Sequence, residues 1–170
     1  MSDERGNPAV ARTLPAIDAL DIDILNLVQE NNQLTSQEIA QKVALSASAV
    51  QRRLRRLREE RIIVADVSVI APAVVGNRVT VIVEVLLERD QLHHREEFEK
   101  TVRKLPEIVQ CYYVTGRADF ILILNMASME EYGEFTKRVF FANPNVKQFY
   151  TAVVMNQVKF STQVALPASV

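Results

Sequence analysis

The chain has 170 residues, of which 48% are hydrophobic and 24% charged, and its formal net charge is -1 at pH 7. These values are typical of a globular protein with one good hydrophobic core or two small ones. A single cysteine, Cys111, excludes a disulfide within the chain. The sequence contains no recognisable signal peptide and no run of the roughly 20 apolar residues that span a membrane, which predicts a cytoplasmic protein with no membrane partner.

The N-terminal residues contain the first two predicted segments. Residues 1–15 are polar, include two prolines and a glycine and show no periodicity, which predicts a mobile arm. From Asp18 onward apolar residues recur at helical spacing, and Asp18 can cap this first helix together with Asp21 three residues later.

Two more helix starts follow at short intervals. Thr35 and Glu38 form the T-x-x-E pattern of a capping box at the start of a short second helix. Ser46 is a favourable N-cap for a third helix that runs to about Glu60. Three helices with only a few residues between the second and the third are typical of a helix-turn-helix, so residues 16–61 are predicted to form that domain.

The third predicted helix is rich in arginine. Its inward stripe is spaced 3, 4 and 3 residues and consists of Ala47, Val50, Leu54 and Leu57. At 100° per residue, the side opposite that stripe holds Ser48, Arg52, Arg55, Arg56 and Glu59. Arg53 and Arg58 flank the stripe. Residues 35–61 contain seven basic and three acidic side chains in a chain that is acidic overall, which indicates a confined anion-binding surface.

A solvated helix face is the alternative interpretation of these arginines. Only Glu59 and Glu60 are available as acidic partners in the third helix, and Arg52 and Arg53 have no acid three or four positions away. Because arginine suits bidentate contacts with phosphate and guanine, the pattern favours double-stranded DNA as the partner.

The roles of the individual residues follow from the geometry of a helix-turn-helix. The N-terminal part of the third helix enters the major groove, which makes Ser48, Gln51 and Arg52 the predicted base contacts. Arg55 and Arg56 are predicted phosphate contacts, together with Arg53 and Thr35. With the cap of the third helix included, the predicted DNA-binding set is Thr35, Ser46, Ser48, Gln51, Arg52, Arg53, Arg55 and Arg56.

The remaining chain predicts a linker and a second domain. Residues 62–76 begin with β-branched residues and end in a turn-rich stretch, which predicts a strand through about Ile70 and a hinge. Residues 77–170 follow the order strand, helix, strand, strand, helix, strand, with the last strand over residues 146–160. This βαββαβ order gives a four-stranded antiparallel sheet with both helices on one side, a ferredoxin-like fold, so the fold class is α+β. The open sheet face is half apolar, which predicts a homodimer through the sheets.

The sequence favours no catalytic or metal site. His93 and His94 are adjacent, so in a helix they point about 100° apart and cannot chelate one metal together. Phosphate-loop, H-E-x-x-H and G-x-S-x-G motifs are absent from the sequence, so we predict no catalytic residues, no metal, no cofactor and no enzyme activity.

Three segments carry a resemblance to a known family. "IDALDIDIL" (Ile17–Leu25), "LSASAVQRRLRRLREERII" (Leu45–Ile63) and "VTGRAD" (Val114–Asp119) occur in this order. They resemble the L-D-x-x-D-x-x-I-L, third-helix and V-x-G-x-x-D segments of the Lrp/AsnC (feast/famine) family of transcription regulators. The resemblance implies a winged helix-turn-helix followed by an ACT-like effector and oligomerisation domain. It also implies dimers that assemble further, often into octamers, and a small-molecule effector between dimers that is usually an amino acid.

The resemblance places the effector loop at Thr115, Gly116, Arg117 and Asp119. Asp119 suits an ammonium group and Gly116 a turn close to a ligand, but a tight hairpin with Asp119 as a turn residue is an equal alternative. The sequence departs from the family at Arg117-Ala118, where an acidic-aromatic pair is more typical. Ala44 and Arg61 stand where the family usually has glycine, which costs free energy if the backbone there has positive φ.

These observations predict a sequence-specific, effector-responsive transcriptional regulator. Two alternatives remain at this point: an effector-binding metabolic sensor without operator recognition, and an architectural DNA-binding protein without an amino-acid response.

Overall fold

The computed structural model describes residues 17–76, 78–89 and 91–167. The predicted mobile arm, residues 1–15, lies outside these ranges. The described residues form two units with separate hydrophobic cores: residues 17–68 with 160–167, and residues 69–159.

The first unit is helical. It contains α1 (Ala19–Glu30), α2 (Ser36–Ala40) and α3 (Ala47–Glu59). The predicted capping box of Thr35 with Glu38 is present, and the predicted cap at Asp18 also forms a capping box, with Asp21. Each of these two helices therefore starts where its local sequence predicts. The three helices enclose a small core of Ile24, Leu25, Ile39, Val50, Leu54 and Leu57.

The end of α3 shows the effect of a missing glycine. Arg61 follows the helix with φ +58° and is the one non-glycine residue with positive φ in the part of the chain that the structure describes. The expected backbone cost at Arg61 is therefore present, roughly 1–2 kcal/mol for an L-residue in the left-handed region. Ala44 incurs no such cost. The turn at Arg61 lets the amides of Ile62 and Ile63 both donate to the carbonyl of Leu57, at 2.9 and 3.0 Å.

The second unit has the predicted βαββαβ order. A 3₁₀ turn (Pro72–Val75) precedes β1 (Val79–Leu87), α4 (Leu92–Val102), β2 (Ile108–Tyr113), β3 (Phe120–Met126), α5 (Met129–Thr136) with a π-helical turn (Lys137–Phe141), and β4 (Val146–Val153). The sheet is antiparallel in the order β2-β3-β1-β4. One sheet face packs under both helices around Phe98, Phe120, Leu122 and Phe135.

One predicted strand is wrong and another is too long. Residues 64–70 form no strand, and their β-branched side chains are exposed. The β-branched residues favour extended backbone, but a strand also needs a hydrogen-bonded neighbour, and the described residues supply none. The last strand ends at Val153 instead of residue 160, and residues 160–167 belong to the helical unit instead of the sheet unit.

Candidate nucleic-acid interface and effector loop

The buried side of α3 determines which of its residues face outward. Val50, Leu54 and Leu57 are buried, while Ser48, Gln51, Arg52 and Arg55 are exposed on the other side. Ser46 caps the helix by accepting a hydrogen bond from the amide of Ala49 at 3.3 Å, and its hydroxyl lies 3.1 Å from that of Ser48. The N-cap at Ser46 therefore sets the position at which the exposed polar face of α3 begins.

Two of the predicted DNA contacts are held by acids of α1. The Nη1 of Arg53 lies 2.7 Å from an oxygen of Asp18 and 2.8 Å from one of Asp21. The Nη2 of Arg56 donates to the other oxygen of Asp21. Asp21 is 0% exposed, whereas the side chains of Arg53 and Arg56 are 22% and 38% exposed. This acid–arginine clamp of four residues joins α1 to α3.

The clamp changes the proton affinities of its outer members. Hydrogen bonds from Arg53, and then from the backbone amide of Asp21, hold the pKa of Asp18 below its usual value. The same acids, Asp21 first, raise the pKa of Arg53. Both shifts favour the charged forms of Asp18 and Arg53, and the clamp acids offset positive charge that was expected to face DNA.

The remaining arginines divide into paired and unpaired groups. Arg58 pairs with Asp66 through its Nε at 2.8 Å, and this contact lowers the pKa of Asp66. Arg52, Arg55 and Arg61 are exposed and make no ion pair with any residue in the described ranges. Arg52 and Arg55 thus keep all their donors available on the outward face of α3.

A groove of about 460 Å³ lies between the start of α2 and the middle of α3. Its lining includes three predicted site residues, Thr35, Gln51 and Arg55, together with Ser36 and Arg58. The Thr35 hydroxyl donates to Glu38 at 2.8 Å, and the backbone amide of Thr35 lowers the pKa of Glu38 as its largest influence. The groove offers cationic and neutral donors to an anionic strand.

The predicted effector loop lies between β2 and β3. Gly116 has φ +131°, and a Cβ built there would meet no atom within 4 Å, so the turn needs glycine for its backbone and not for space. The carboxylate of Asp119 accepts a hydrogen bond from the amide of Leu87 at 2.7 Å, and the amide of Asp119 donates to the carbonyl of Val85 at 3.0 Å. Asp119 therefore braces the loop against the end of β1, as in the hairpin interpretation.

The cation of this loop already has a partner. Arg117 donates to both oxygens of Glu84, each at 2.8 Å, although its side chain is 79% exposed. The contact lowers the pKa of Glu84. Thr115, two positions earlier in the loop, is exposed. The pairing of Glu84 and of the clamp acids with arginine was not predicted from the sequence, since each acid contacts an arginine from another element.

Residues 17–76, 78–89 and 91–167 contain neither a metal site nor a membrane-spanning helix. No three His, Cys, Asp or Glu side chains there are placed to hold a metal ion. No helix in those ranges is both long and apolar enough to cross a bilayer.

Comparison with known proteins places the two units in context. The family model described as "Winged helix-turn-helix DNA-binding" matches residues 17–64, and that described as "Lrp/AsnC ligand binding domain" matches residues 80–164. An uncharacterised HTH-type transcriptional regulator of Sinorhizobium fredii is 51% identical over 143 residues, which cover 84% of this chain and 85% of the relative. The chain belongs to the Lrp/AsnC family.

Solved Lrp/AsnC-type structures agree with this assignment. An AsnC family transcriptional regulator of Agrobacterium tumefaciens has a TM-score of 0.81 at 28% identity, with 88% of this chain and 97% of that chain covered. A transcriptional regulator of Neisseria meningitidis in complex with L-Met has a TM-score of 0.82 at 29% identity and the same coverage. The leucine-responsive regulatory protein of Haemophilus influenzae is 33% identical over 85% of this chain and 87% of its own.

Membership of the Lrp/AsnC family decides the broad function. The chain is a transcriptional regulator with a helix-turn-helix domain and a ligand-binding domain, and not an enzyme. The predicted family, fold class and non-enzymatic class are confirmed.

Proposed function

We propose that this Lrp/AsnC regulator binds DNA sequence-specifically in the cytoplasm, as a homodimer, under the control of an amino-acid effector. In this proposal Ser48, Gln51 and Arg52 contact base edges, and Arg55 contacts phosphate beside Thr35. Arg53 and Arg56 act mainly through the clamp, which orients α3. Ser46 sets the start of the helix that enters the groove.

One observation carries the DNA proposal. Arg52 and Arg55 are exposed on the outward face of α3 and unpaired among the described residues, whereas Arg53, Arg56 and Arg58 are neutralised by acids. Guanidinium groups that make no ion pair bind phosphate and guanine at the lowest free-energy cost, because no existing ion pair has to break.

The open sheet face supports the dimer. It carries Ile82 opposite Ile123, and Glu84 between Ile121 and Tyr150. Neither helix of the unit covers this side, since both pack on the opposite face with Val81, Val83 and Val85. A second copy would bury these apolar side chains and would bring two copies of α3 to one duplex.

The proposed roles of Arg52 and Arg55 predict different effects on DNA binding when each residue is replaced by alanine. A duplex selected by the wild-type protein from a random library is compared with a scrambled duplex over a range of salt concentrations, by fluorescence anisotropy. Arg55→Ala should weaken binding to both duplexes by the same factor. It should also reduce the slope of log affinity against log salt concentration by about 0.9, the value for one phosphate contact. Arg52→Ala should instead reduce discrimination between the duplexes by about 1–3 kcal/mol.

Arg103→Ala is the matched control for these variants. It removes the same charge from an exposed side chain that follows α4 in the other unit. It should leave both the slope and the discrimination unchanged. Equal behaviour of all three variants would contradict the proposed interface.

Two observations support an amino-acid effector at the loop between β2 and β3. The Neisseria regulator was solved with L-methionine. One oxygen of Asp119 accepts from the amide of Leu87, and the other, which has no hydrogen-bond partner among the described residues, is proposed to accept from a ligand ammonium group. Asp119→Asn keeps an acceptor for Leu87 and removes the negative charge, so it separates ligand binding from loop structure.

The twenty amino acids are screened by thermal shift against the wild type and Asp119→Asn. A ligand at 100 times its Kd should stabilise the wild type by about 2.7 kcal/mol, and most of this gain should vanish in the variant. An equal gain in both would exclude Asp119 as the ammonium site. No stabilising amino acid at all would favour the architectural alternative.

A further inference from the structure

The end of the chain returns to the helical unit. β4 ends at Val153, and residues 160–167, the C-terminal strap, lie with α1–α3. The side-chain amide of Gln29, near the end of α1, contacts the backbone of Val164 in both directions. The Val164 amide donates to Gln29 Oε1 at 2.7 Å, and Gln29 Nε2 donates to the Val164 carbonyl at 3.2 Å. This reciprocal pair satisfies one strap residue as a neighbouring strand would.

Two further contacts hold the strap. The Nε2 of Gln163 lies 3.5 Å from the carbonyl of Gln29, a weak hydrogen bond, and Leu166 packs half-buried against the core of α1–α3. The strap has no helix or strand of its own. Its conformation therefore depends on these contacts with the helical unit.

We propose that the C-terminal strap is a latch that docks on the end of α1 and joins the ligand-binding unit to the DNA-binding unit at a second point. The first connection is the linker after Ser68. The second consists of residues 154–159, six residues that span at most about 20 Å when fully extended. A change at the end of β4 then reaches α1 through a short connector, and α1 holds α3 through Asp21.

The docking is tested by amide hydrogen exchange of the full chain, measured by NMR. The Val164 amide should exchange at least about tenfold more slowly than in an unstructured peptide, because it donates to Gln29. Gln29→Ala should abolish this protection. Gln29→Glu should retain part of it, since a carboxylate accepts from Val164 but cannot donate to its carbonyl.

Gln33→Ala is the matched control, an exposed glutamine of the same unit whose side chain has no hydrogen-bond partner in the described ranges. It should leave Val164 protected. An unprotected Val164 in the wild type, or protection that survives Gln29→Ala, would overturn the latch. A chain that ends at Lys159 should show faster exchange in the last turn of α1 and unchanged exchange in β1, and faster exchange throughout the sheet would also overturn it.

The coupling role rests on the proposed DNA-binding function and has its own measurement. Gln29→Ala should weaken binding to the selected duplex several-fold relative to Gln33→Ala, although neither variant changes charge. Equal affinities would overturn the coupling role. Absence of DNA binding by the wild type would instead overturn the proposed function and leave the exchange result standing.

Discussion

Asp21→Ala is expected to lower the free energy of unfolding of the helical unit by about 3 kcal/mol. Asp21 is fully buried and its carboxylate accepts hydrogen bonds from Arg53, from Arg56 and from the amide of Asp18 at 3.1 Å. Removal of one partner from a buried ion pair costs about 3–5 kcal/mol. The lower end applies here because both guanidinium groups are partly exposed and can turn toward water.

Two further variants separate the effect of the buried charge from that of the side chain. The free energy of unfolding of all three variants is measured by urea unfolding followed by circular dichroism. Asp21→Asn keeps the size of the side chain and a hydrogen-bond acceptor, and should cost less than alanine. Asp18→Ala removes an acid whose side chain is 53% exposed together with the N-cap of α1, and should cost about 1–2 kcal/mol. A loss for Asp21→Ala no larger than that for Asp18→Ala would contradict the structural role of the clamp.

The clamp also has an electrostatic consequence for DNA. Asp21→Ala frees the guanidinium group of Arg56, on the side of α3 next to Arg52, and leaves Arg53 paired with Asp18 alone. Non-specific affinity for duplex DNA and the steepness of its salt dependence should therefore rise, wherever the variant is still folded. In the proposed interface, Asp18 and Asp21 thus leave Arg52 and Arg55 as the unpaired arginines, and they hold α3 against the start of α1.

The elements that the sequence predicted well are those whose signals are local. The capping boxes at Asp18 and Thr35 and the cap at Ser46 depend on residues three positions apart, and all three mark helix starts in the structure. The stripe Val50, Leu54 and Leu57 depends only on helical periodicity, and it is buried. Such patterns need no knowledge of the rest of the chain.

The features that the sequence analysis missed all depend on a partner far along the chain. Arg53 has no acid three or four positions away in its own helix, and its partners Asp18 and Asp21 lie more than 30 positions earlier. A helical wheel of α3 could not reveal them. One signal was present in retrospect: an aspartate on the buried side of α1 requires a cation or several donors, and the third helix is rich in arginine. The latch has no comparable signal, because a glutamine side chain that binds backbone leaves no pattern in the sequence.

The strand errors have the same origin. Residues 64–70 and 154–160 have the β-branched and alternating composition of strands. Among the described residues, however, 64–70 form no strand ladder, and the last strand pairs with β1 only as far as the hydrogen bond from the amide of Val154 to the carbonyl of Thr80. Strand propensity describes how side chains fit a pleated surface, so it predicts a strand only where that surface exists.

Leu57→Ala is expected to have a similarly large effect, confined to the DNA-binding unit. Leu57 is 0% exposed in the core of α1–α3, and truncation of a buried leucine costs about 2–5 kcal/mol. A small helical unit has only a few kcal/mol of stability in total. At a loss of about 3 kcal/mol its melting temperature should fall by roughly 12–24 °C.

Leu122→Ala is the matched variant in the sheet core, where Leu122 is also 0% exposed. Calorimetry of the wild type should resolve two transitions, since the two cores share no residue. Leu57→Ala should lower the midpoint temperature of the transition at which DNA binding is lost. Leu122→Ala should lower the midpoint temperature of the transition that bound amino acids raise. If either variant lowered both transitions equally, the units would fold as one cooperative block. Ligand control would then act through the stability of the whole chain, and a latch between separate units would have nothing to transmit.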